Sequence, residues 1–137
     1  MKTYSLLEHT ADIAIRVKAG TLKTLFKNAA LAMFDIMAEK KARHAREKVL
    51  HLTVQADSVE DLLVQWLNDL LSLSSAKALI CSRIKIESMS SQALKAKVFA
   101  RGISAYRLHT EIKAVTYHEL SIRRRGSLWT GKVVFDV

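Results

Sequence analysis

Residues 21–37 have the sequence T-L-K-T-L-F-K-N-A-A-L-A-M-F-D-I-M. Its apolar side chains recur at spacings of three and four residues, which places them on one face of an α-helix. That apolar stripe consists of Leu22, Leu25, Phe26, Ala29, Ala30, Met33, Phe34 and Met37. Thr21 is a suitable N-cap for this helix. A helix with a single apolar face must bury it, so the rest of the chain has to supply a second layer.

A second helix of the same kind is predicted to begin after Asp57 and Ser58, which offer an N-cap with an acidic residue three positions on. Glu60 and Asp61 fall in its first turn, where the helix dipole favours negative charge. Its apolar stripe consists of Val59, Leu62, Leu63, Trp66, Leu67, Leu70 and Leu71. Two helices with one apolar face each are most simply buried side by side on one sheet.

The other segments alternate apolar and polar residues, which is the period of half-buried strands. Residues 11–18 (A-D-I-A-I-R-V-K) and residues 50–55 follow this pattern, and the chain after Ile80 follows it almost throughout. The predicted C-terminal strands contain Ile84 and Ile86; Leu94, Ala96 and Val98; either Ile112, Ala114 and Thr116 or Glu111, Lys113, Val115 and Tyr117; and Trp129, Val133 and Phe135. Polar breaks at residues 88–91 and 123–127 have hairpin length, so we expect an antiparallel meander.

These elements predict an α+β fold. It is a two-layer sandwich of order β-α-β-α-β-β-β-β, in which a mostly antiparallel β-sheet carries both amphipathic helices packed on one face. The 137 residues, of which 50% are apolar, suit one domain over residues 1–137. No stretch approaches the ~18 to 20 apolar residues of a membrane helix, and the N-terminus lacks a signal-peptide pattern. We therefore expect a cytoplasmic protein that does not associate with membranes.

The sequence lacks the common catalytic and cofactor motifs. It contains no phosphate-binding G-x-x-x-x-G-K-[ST], no G-x-G-x-x-G, no G-x-S-x-G, no H-E-x-x-H and no C-x-x-C. The single cysteine, Cys81, follows two apolar residues and is expected to be an inert buried thiol. An ordinary metabolic enzyme is not expected.

Two aspartates occupy unusual positions. Asp12 lies within a predicted strand, and Asp136 lies between Phe135 and Val137 at the end of the last strand. If these strands are neighbours, both carboxylates and nearby main-chain oxygens would converge into an oxygen cluster that suits Ca²⁺, Mg²⁺ or Mn²⁺. The alternative is that Asp12 caps a turn and Asp136 is solvated at a frayed strand end.

His9 and His109 each lie within two positions of an acidic residue, near the start of a predicted strand. His9 occurs in E-H-T-A-D and His109 in R-L-H-T-E-I-K. Strand ends and loops are where polar sites are commonly assembled, so both are candidate site residues. Each is equally compatible with a solvated histidine near the end of a strand.

The net charge of +9 would attract polyanions, either nucleic acid or an acidic protein. Cations are concentrated in residues 40–48, a predicted solvated connection, and at Arg123, Arg124 and Arg125. Others alternate along two predicted strands, at Arg83, Lys85, Lys95 and Lys97. They would either follow a phosphate backbone or protect sheet edges from aggregation. The strands lack the interleaved aromatic residues of a base-stacking surface.

Five sequence blocks, in order along the chain, together resemble the archease family. They are L-L-E-H-T-A-D-I (6–13), T-L-x-x-L-F-x-N-A-A-L-A-M-F-D-I-M (21–37), L-V-Q-W-L-N-D-L-L (63–71), E-I-K-A-V-T-Y-H-E-L (111–120) and V-F-D-V (134–137). The resemblance implies a small cytosolic, non-catalytic protein that activates the RNA-splicing ligase. That ligase joins a 2′,3′-cyclic phosphate or 3′-phosphate end to a 5′-hydroxyl during tRNA maturation. The activator promotes guanylylation of the ligase and supports multiple turnover.

The resemblance also implies roles for individual residues. Asp12 and Asp136 would be ligands of a divalent cation (Ca²⁺, Mg²⁺ or Mn²⁺), with the main chain of Val137 as a third. Lys113, His9 and His109 would lie near that site and engage the ligase. The ligase is the implied partner, and tRNA would be contacted directly or through it, with Arg123, Arg124 and Arg125 as candidate RNA contacts. Two other classes remain open: a tRNA-binding or chaperone-like module that assists an RNA-modifying enzyme, and a metal-dependent phosphotransfer enzyme.

Overall fold

Both predicted helices are present in the computed structural model of the protein, which describes residues 3–8, 12–41 and 46–137. Helix α1 spans Leu22–Met37, and the Thr21 side chain accepts a hydrogen bond from the Thr24 amide at 3.1 Å. Helix α2 spans Val59–Lys77, and Ser58 caps it in the same way through the Asp61 amide. Both N-caps are therefore confirmed.

Among the described residues nine strands accompany the helices, and the α+β fold class is confirmed. They are β1 (Tyr4–Glu8), β2 (Asp12–Ala19), β3 (Ala38–Lys40), β4 (Lys48–Gln55), β5 (Leu79–Met89), β6 (Ala93–Gly102), β7 (Tyr106–Leu108), β8 (Ala114–Arg125) and β9 (Leu128–Asp136). They form three antiparallel sheets in the orders β1-β2-β9-β8, β4-β6-β5 and β3-β7. Helix α1 contacts β2, β5 and β9, and α2 contacts β4, β5 and β8, so the two helices bury their stripes against both larger sheets.

The prediction of one C-terminal meander is wrong. The hairpins β5-β6 and β8-β9 both form, but they belong to different sheets. The reason is that β6 already has β4 on one side and β5 on the other, which leaves no free edge for β8. The chain between β6 and β8 instead makes a short 3-10 turn at Ile103–Ala105 and then β7, which pairs with β3.

The start of β8 explains why the sequence was compatible with two alternative sets of residues on one face of this strand, one containing Ile112 and the other Val115. Ile112 from one phase and Val115 from the other are both buried, because Ile112 precedes the strand and Val115 lies inside it. The second hairpin turn is also shorter than predicted, since β8 continues through Arg125. Only Gly126 and Ser127 form the turn, and Gly126 has a φ of 61°, a conformation that favours glycine.

The core lies between the helices and the inner faces of the two larger sheets. Trp66 of α2 is fully buried, and its indole Nε1 donates a hydrogen bond to the Phe26 carbonyl of α1 at 3.0 Å.

Cys81 is buried as predicted, and burial raises the pKa of its thiol to about 12, so it stays protonated. Within the described ranges, neither helix combines the length and the apolar character needed to cross a membrane. The single-domain assignment remains a prediction.

Replacing Trp66 by Phe should lower the free energy of unfolding by about 2 kcal/mol, because it removes a buried hydrogen bond and leaves unfilled space between the helices. Urea unfolding of both proteins measures this difference. Trp129→Phe is the matched control. Because Trp129 is only half-buried, this substitution should lower the free energy of unfolding by less than Trp66→Phe does. Equal losses in the two variants would contradict the assigned role of the Trp66 contact.

Candidate functional site

The first predicted strand and the last strand are neighbours, and their register places two acidic residues side by side. In the antiparallel ladder of β2 and β9, Asp12 lies directly opposite Asp136. Directly opposed residues project to the same face of a sheet, with Cβ atoms roughly 4.5–5.5 Å apart. Asp136 also pairs on its other side with Ala114 of β8. Because it is paired on both sides, Asp136 does not lie at a frayed strand end.

The two carboxylates differ in exposure. Asp136 is exposed, whereas Asp12 is half-buried and its Oδ1 atom is shielded from solvent. Like charges directly opposite each other on a sheet are destabilising, and a cation between them removes that penalty. Carboxylate oxygens are hard donors of the kind that Ca²⁺, Mg²⁺ and Mn²⁺ prefer. The chemistry of this pair therefore suits a divalent cation.

Lys113 and Val137 lie next to the aspartate pair. The Lys113 amide donates a hydrogen bond to the Asp136 carbonyl at 2.8 Å, which attaches the segment before β8 to the end of β9. The Lys113 side chain is exposed, and Val137, which follows Asp136, is half-buried. Asp136 thus pairs directly with Asp12, and Lys113 and Val137 both lie beside Asp136.

His109 belongs to a neighbouring cleft of about 900 Å³, not to the aspartate pair. The cleft runs between α2 and the segment before β8, and its polar lining includes Asn68, Ser72, Ser75, His109, Glu111 and Lys113. His109 is exposed, and its Nε2 atom is 3.2 Å from a carboxylate oxygen of Glu39 on β3. Lys113 lines this cleft and also adjoins Asp136, so it connects the two features.

Of the remaining candidates, the three arginines are not brought to this site. His9 lies outside the described residues. Arg123, Arg124 and Arg125 are exposed at the far end of β8, where Arg123 pairs with Thr130. Thr130 is about 20 Å along β9 from Asp136. The three arginines therefore form a separate surface.

Asn68 is a residue of this region that the sequence did not single out. Its side-chain amide donates to the Val115 carbonyl at 3.1 Å and accepts from the Val115 amide at 2.9 Å. Because β8 is an edge strand, Asn68 occupies the hydrogen-bonding positions that another strand would fill. A signal for it exists in the sequence. Asn68 shares a helix face with buried Val64 and Leu71, where a polar residue requires a partner.

Within the described ranges, no three or more His, Cys, Asp or Glu side chains are grouped closely enough to hold a metal ion. A cation at the aspartate pair would therefore have two carboxylate ligands from this set and further oxygens from main chain, water or a partner. Mg²⁺ sites that act on phosphates are commonly of this kind, with one or two carboxylates and the phosphate oxygens completing the shell.

Replacing Asn68 by Ala should lower the free energy of unfolding by about 2 kcal/mol, since two hydrogen bonds to the backbone of Val115 are lost. Hydrogen exchange at the Val115 amide should become faster in the variant. Asp69→Ala is the control, because Asp69 accepts an exposed hydrogen bond from Gln65 within the same helix, and this substitution should cost less than about 0.5 kcal/mol. Unchanged exchange at Val115 would contradict this role of Asn68.

Similarity to known proteins extends over nearly the whole chain. Residues 4–137 match the model of the Archease protein family (MTH1598/TM1083). The chain is 34% identical to Protein archease of Methanosarcina acetivorans, with 99% of this chain and 97% of that protein covered. It is 31% identical to Protein archease of Pyrococcus furiosus, with both chains fully covered.

Two solved structures have the same architecture. The solution structure of Methanobacterium thermoautotrophicum protein 1598 superposes with a TM-score of 0.74 at 27% identity, and both chains are fully covered. The crystal structure of an archease from Thermotoga maritima, described as a possible chaperone, superposes with a TM-score of 0.70 at 30% identity. That superposition covers 96% of this chain and 94% of the other.

Proposed function

The chain belongs to the archease family, and we propose that it is a non-catalytic activator of the RNA-splicing ligase that seals 3′-phosphate or 2′,3′-cyclic phosphate ends to 5′-hydroxyl ends in tRNA splicing and RNA repair. The activator would promote guanylylation of the ligase and allow it to turn over repeatedly. The family match over residues 4–137 supports this proposal, together with the five sequence blocks. The proposal also includes two expectations, that the protein is cytoplasmic and that it is not itself an enzyme.

The observation that carries the proposal is the direct pairing of Asp12 with Asp136. These carboxylates would hold one divalent cation, Ca²⁺, Mg²⁺ or Mn²⁺, with the main chain of Val137 as a further ligand. Such an ion, when bound, supplies positive charge that neutralises and orients phosphate oxygens. The proposal places this charge at one end of the β2-β9 ladder, where Asp136 is exposed to a partner.

The protein's own residues would bind and orient the partner. Lys113 carries an exposed ammonium group beside Asp136, and this group suits a phosphate or a carboxylate of the ligase. The adjoining cleft, with His109 on its wall, offers a concave surface for a protruding segment of the ligase. To activate the ligase, this surface must bind its guanylylation-competent conformation more tightly than its other conformations.

The second candidate function is a chaperone-like module that binds tRNA or assists an RNA-modifying enzyme. The description of the Thermotoga maritima relative as a possible chaperone favours it, as does the net charge of +9. Such a module would keep its partner soluble without raising its turnover. The two functions are therefore separated by turnover of the ligase.

Ca²⁺ or Mn²⁺ should stabilise the protein and should not stabilise Asp136→Asn. At about 100 times the dissociation constant, a cation that binds only the folded state adds about 2.7 kcal/mol, seen as a rise in Tm. In EDTA, Asp136→Asn should be no less stable than the unsubstituted protein, since the opposed charges are removed. Asp57→Asn, an exposed aspartate outside the ladder, should respond to the cation like the unsubstituted protein. An equal rise in Tm for Asp136→Asn would contradict the metal site.

In a ligation assay with limiting ligase, adding this protein should convert one turnover per ligase molecule into many. Asp12→Asn and Asp136→Asn should lose most of this effect, whereas Asp57→Asn should keep it. Far-UV circular dichroism checks that each variant is folded. If product stops at about one equivalent of ligase with and without the protein, the activator function is wrong, and protection of the partner from aggregation becomes the function to test.

A further inference from the structure

One face of the β4-β6-β5 sheet carries a row of cations. Its inner face is formed by buried residues such as Leu94, Ala96 and Val98. On the outer face, Lys97 of β6 lies directly opposite Lys85 of β5 on one side and opposite His51 of β4 on the other. Lys95 lies two residues from Lys97 on the same strand and therefore on the same face. We call Lys85, Lys95 and Lys97 the lysine face.

The position of Lys95 and Lys97 excludes, for these two lysines, one explanation that the sequence left open. Lysines often protect exposed sheet edges from pairing with other chains. Lys95 and Lys97 are on β6, which is the central strand and has a partner on each side. A central strand has no edge to protect, so these two lysines need another explanation.

The arrangement also costs stability. Lys85 and Lys97 are directly opposed like charges, which is unfavourable in a sheet. In the part of the chain that the structure describes, no ion pair includes Lys85, Lys95 or Lys97. Lys85 and Lys95 are exposed and Lys97 is half-buried, so the lysine face is open to an external anion.

The arginines of the same sheet behave differently. Glu47 forms ion pairs with Arg83 at 2.7 Å and with Arg101 at 3.5 Å. Its hydrogen bonds from Arg83 and Ser82 lower the pKa of its carboxyl to about 2. The Arg83 guanidinium also lies over the Phe99 ring, 4.1 Å from its centroid. Glu47 thus holds both arginines in ion pairs, whereas no ion pair of the described residues includes the three lysines.

We propose that the lysine face binds the phosphate backbone of RNA without regard to sequence. Lysine is a compact charge on a flexible stem, which suits phosphodiesters and carries no base specificity. The Phe99 ring is covered by Arg83, so it does not offer a stacking surface for a base. An interface with a protein partner would need an apolar or aromatic centre on this face. Among the described residues of this sheet, Val49 is the one large hydrophobic residue that is exposed. Charge complementarity therefore favours a phosphate chain.

The choice of RNA among phosphate chains rests on the proposed function. The lysine face is on a different sheet from the aspartate pair, so RNA binding and ligase activation are assigned to separate surfaces of one molecule. RNA held there would be presented to the same ligase that the aspartate pair engages. Each assignment can fail without the other.

The test is fluorescence anisotropy of a labelled single-stranded RNA with the full chain alone, over a series of salt concentrations. The triple variant Lys85→Gln, Lys95→Gln, Lys97→Gln should bind at least about tenfold more weakly at low salt. Its plot of log affinity against log salt should be less steep by about 2, because three phosphate contacts are lost. The control Lys23→Gln, Lys27→Gln, Lys77→Gln removes the same charge from exposed positions on the two helices and should bind nearly normally.

Thermal unfolding shows whether the triple variant is folded. Its Tm should not fall, because the opposed charges are removed. If it unfolds, the single variant Lys97→Gln gives the same test with a smaller expected loss. Equal binding by the lysine variant and the unsubstituted protein overturns the proposal. So does a loss confined to Arg123→Gln, Arg124→Gln, Arg125→Gln, or equal displacement of RNA by polyglutamate.

The ligation assay separates this inference from the proposed function. If the unsubstituted protein activates the ligase but binds no RNA on its own, the lysine face assignment is wrong and the activator function stands. If it binds RNA through the lysine face but does not activate the ligase, the activator function is wrong and the RNA surface stands.

Discussion

The antiparallel ladder between β2 and β9 is the contact on which the candidate site depends. It joins a strand near the N-terminus to the last described strand and places Asp12 opposite Asp136. Side chains alternate between the two faces of a strand, so a slip of one residue would turn one aspartate toward the core. Ile15, Val133 and Phe135 prevent such a slip, because each is almost fully buried in the present register. The same apolar pattern that builds the core therefore holds the two carboxylates together.

Helix α2 connects this ladder to the rest of the core through hydrogen bonds from two of its side chains, Trp66 and Asn68. Trp66 binds the backbone of α1 at Phe26, and Asn68 binds both backbone groups of Val115 at the free edge of β8. β8 in turn pairs with β9 next to Asp136. A single helix thus maintains the spacing between the helical layer and the strand that adjoins the site. Neither contact is a property of α2 alone, since each depends on a partner more than 35 residues away.

The charges are divided among distinct surfaces of the molecule. The aspartate pair is at one end of the β1-β2-β9-β8 sheet, while the lysine face lies on the β4-β6-β5 sheet. A net charge of +9 distributed in this way attracts polyanions without neutralising the aspartates directly. The division suits a protein that would hold a cation for one partner and a phosphate chain at another surface.

From the amino-acid sequence alone we could predict the two helices, their N-caps, the burial of Cys81 and the faces of the main strands. These properties follow from the spacing of residues within one element, and a helix or strand has a fixed period. The family resemblance also came from the sequence and is confirmed.

Strand pairing is different, because the alternation of apolar and polar residues defines which face of a strand is buried but not which strand lies beside it. Only the tertiary structure shows that β8 pairs with β9, in the sheet that contains β2, and not with β6. It also decided that Lys95 and Lys97 lie on a central strand and that Asn68 caps the edge of β8, since each of these depends on segments that meet only after folding.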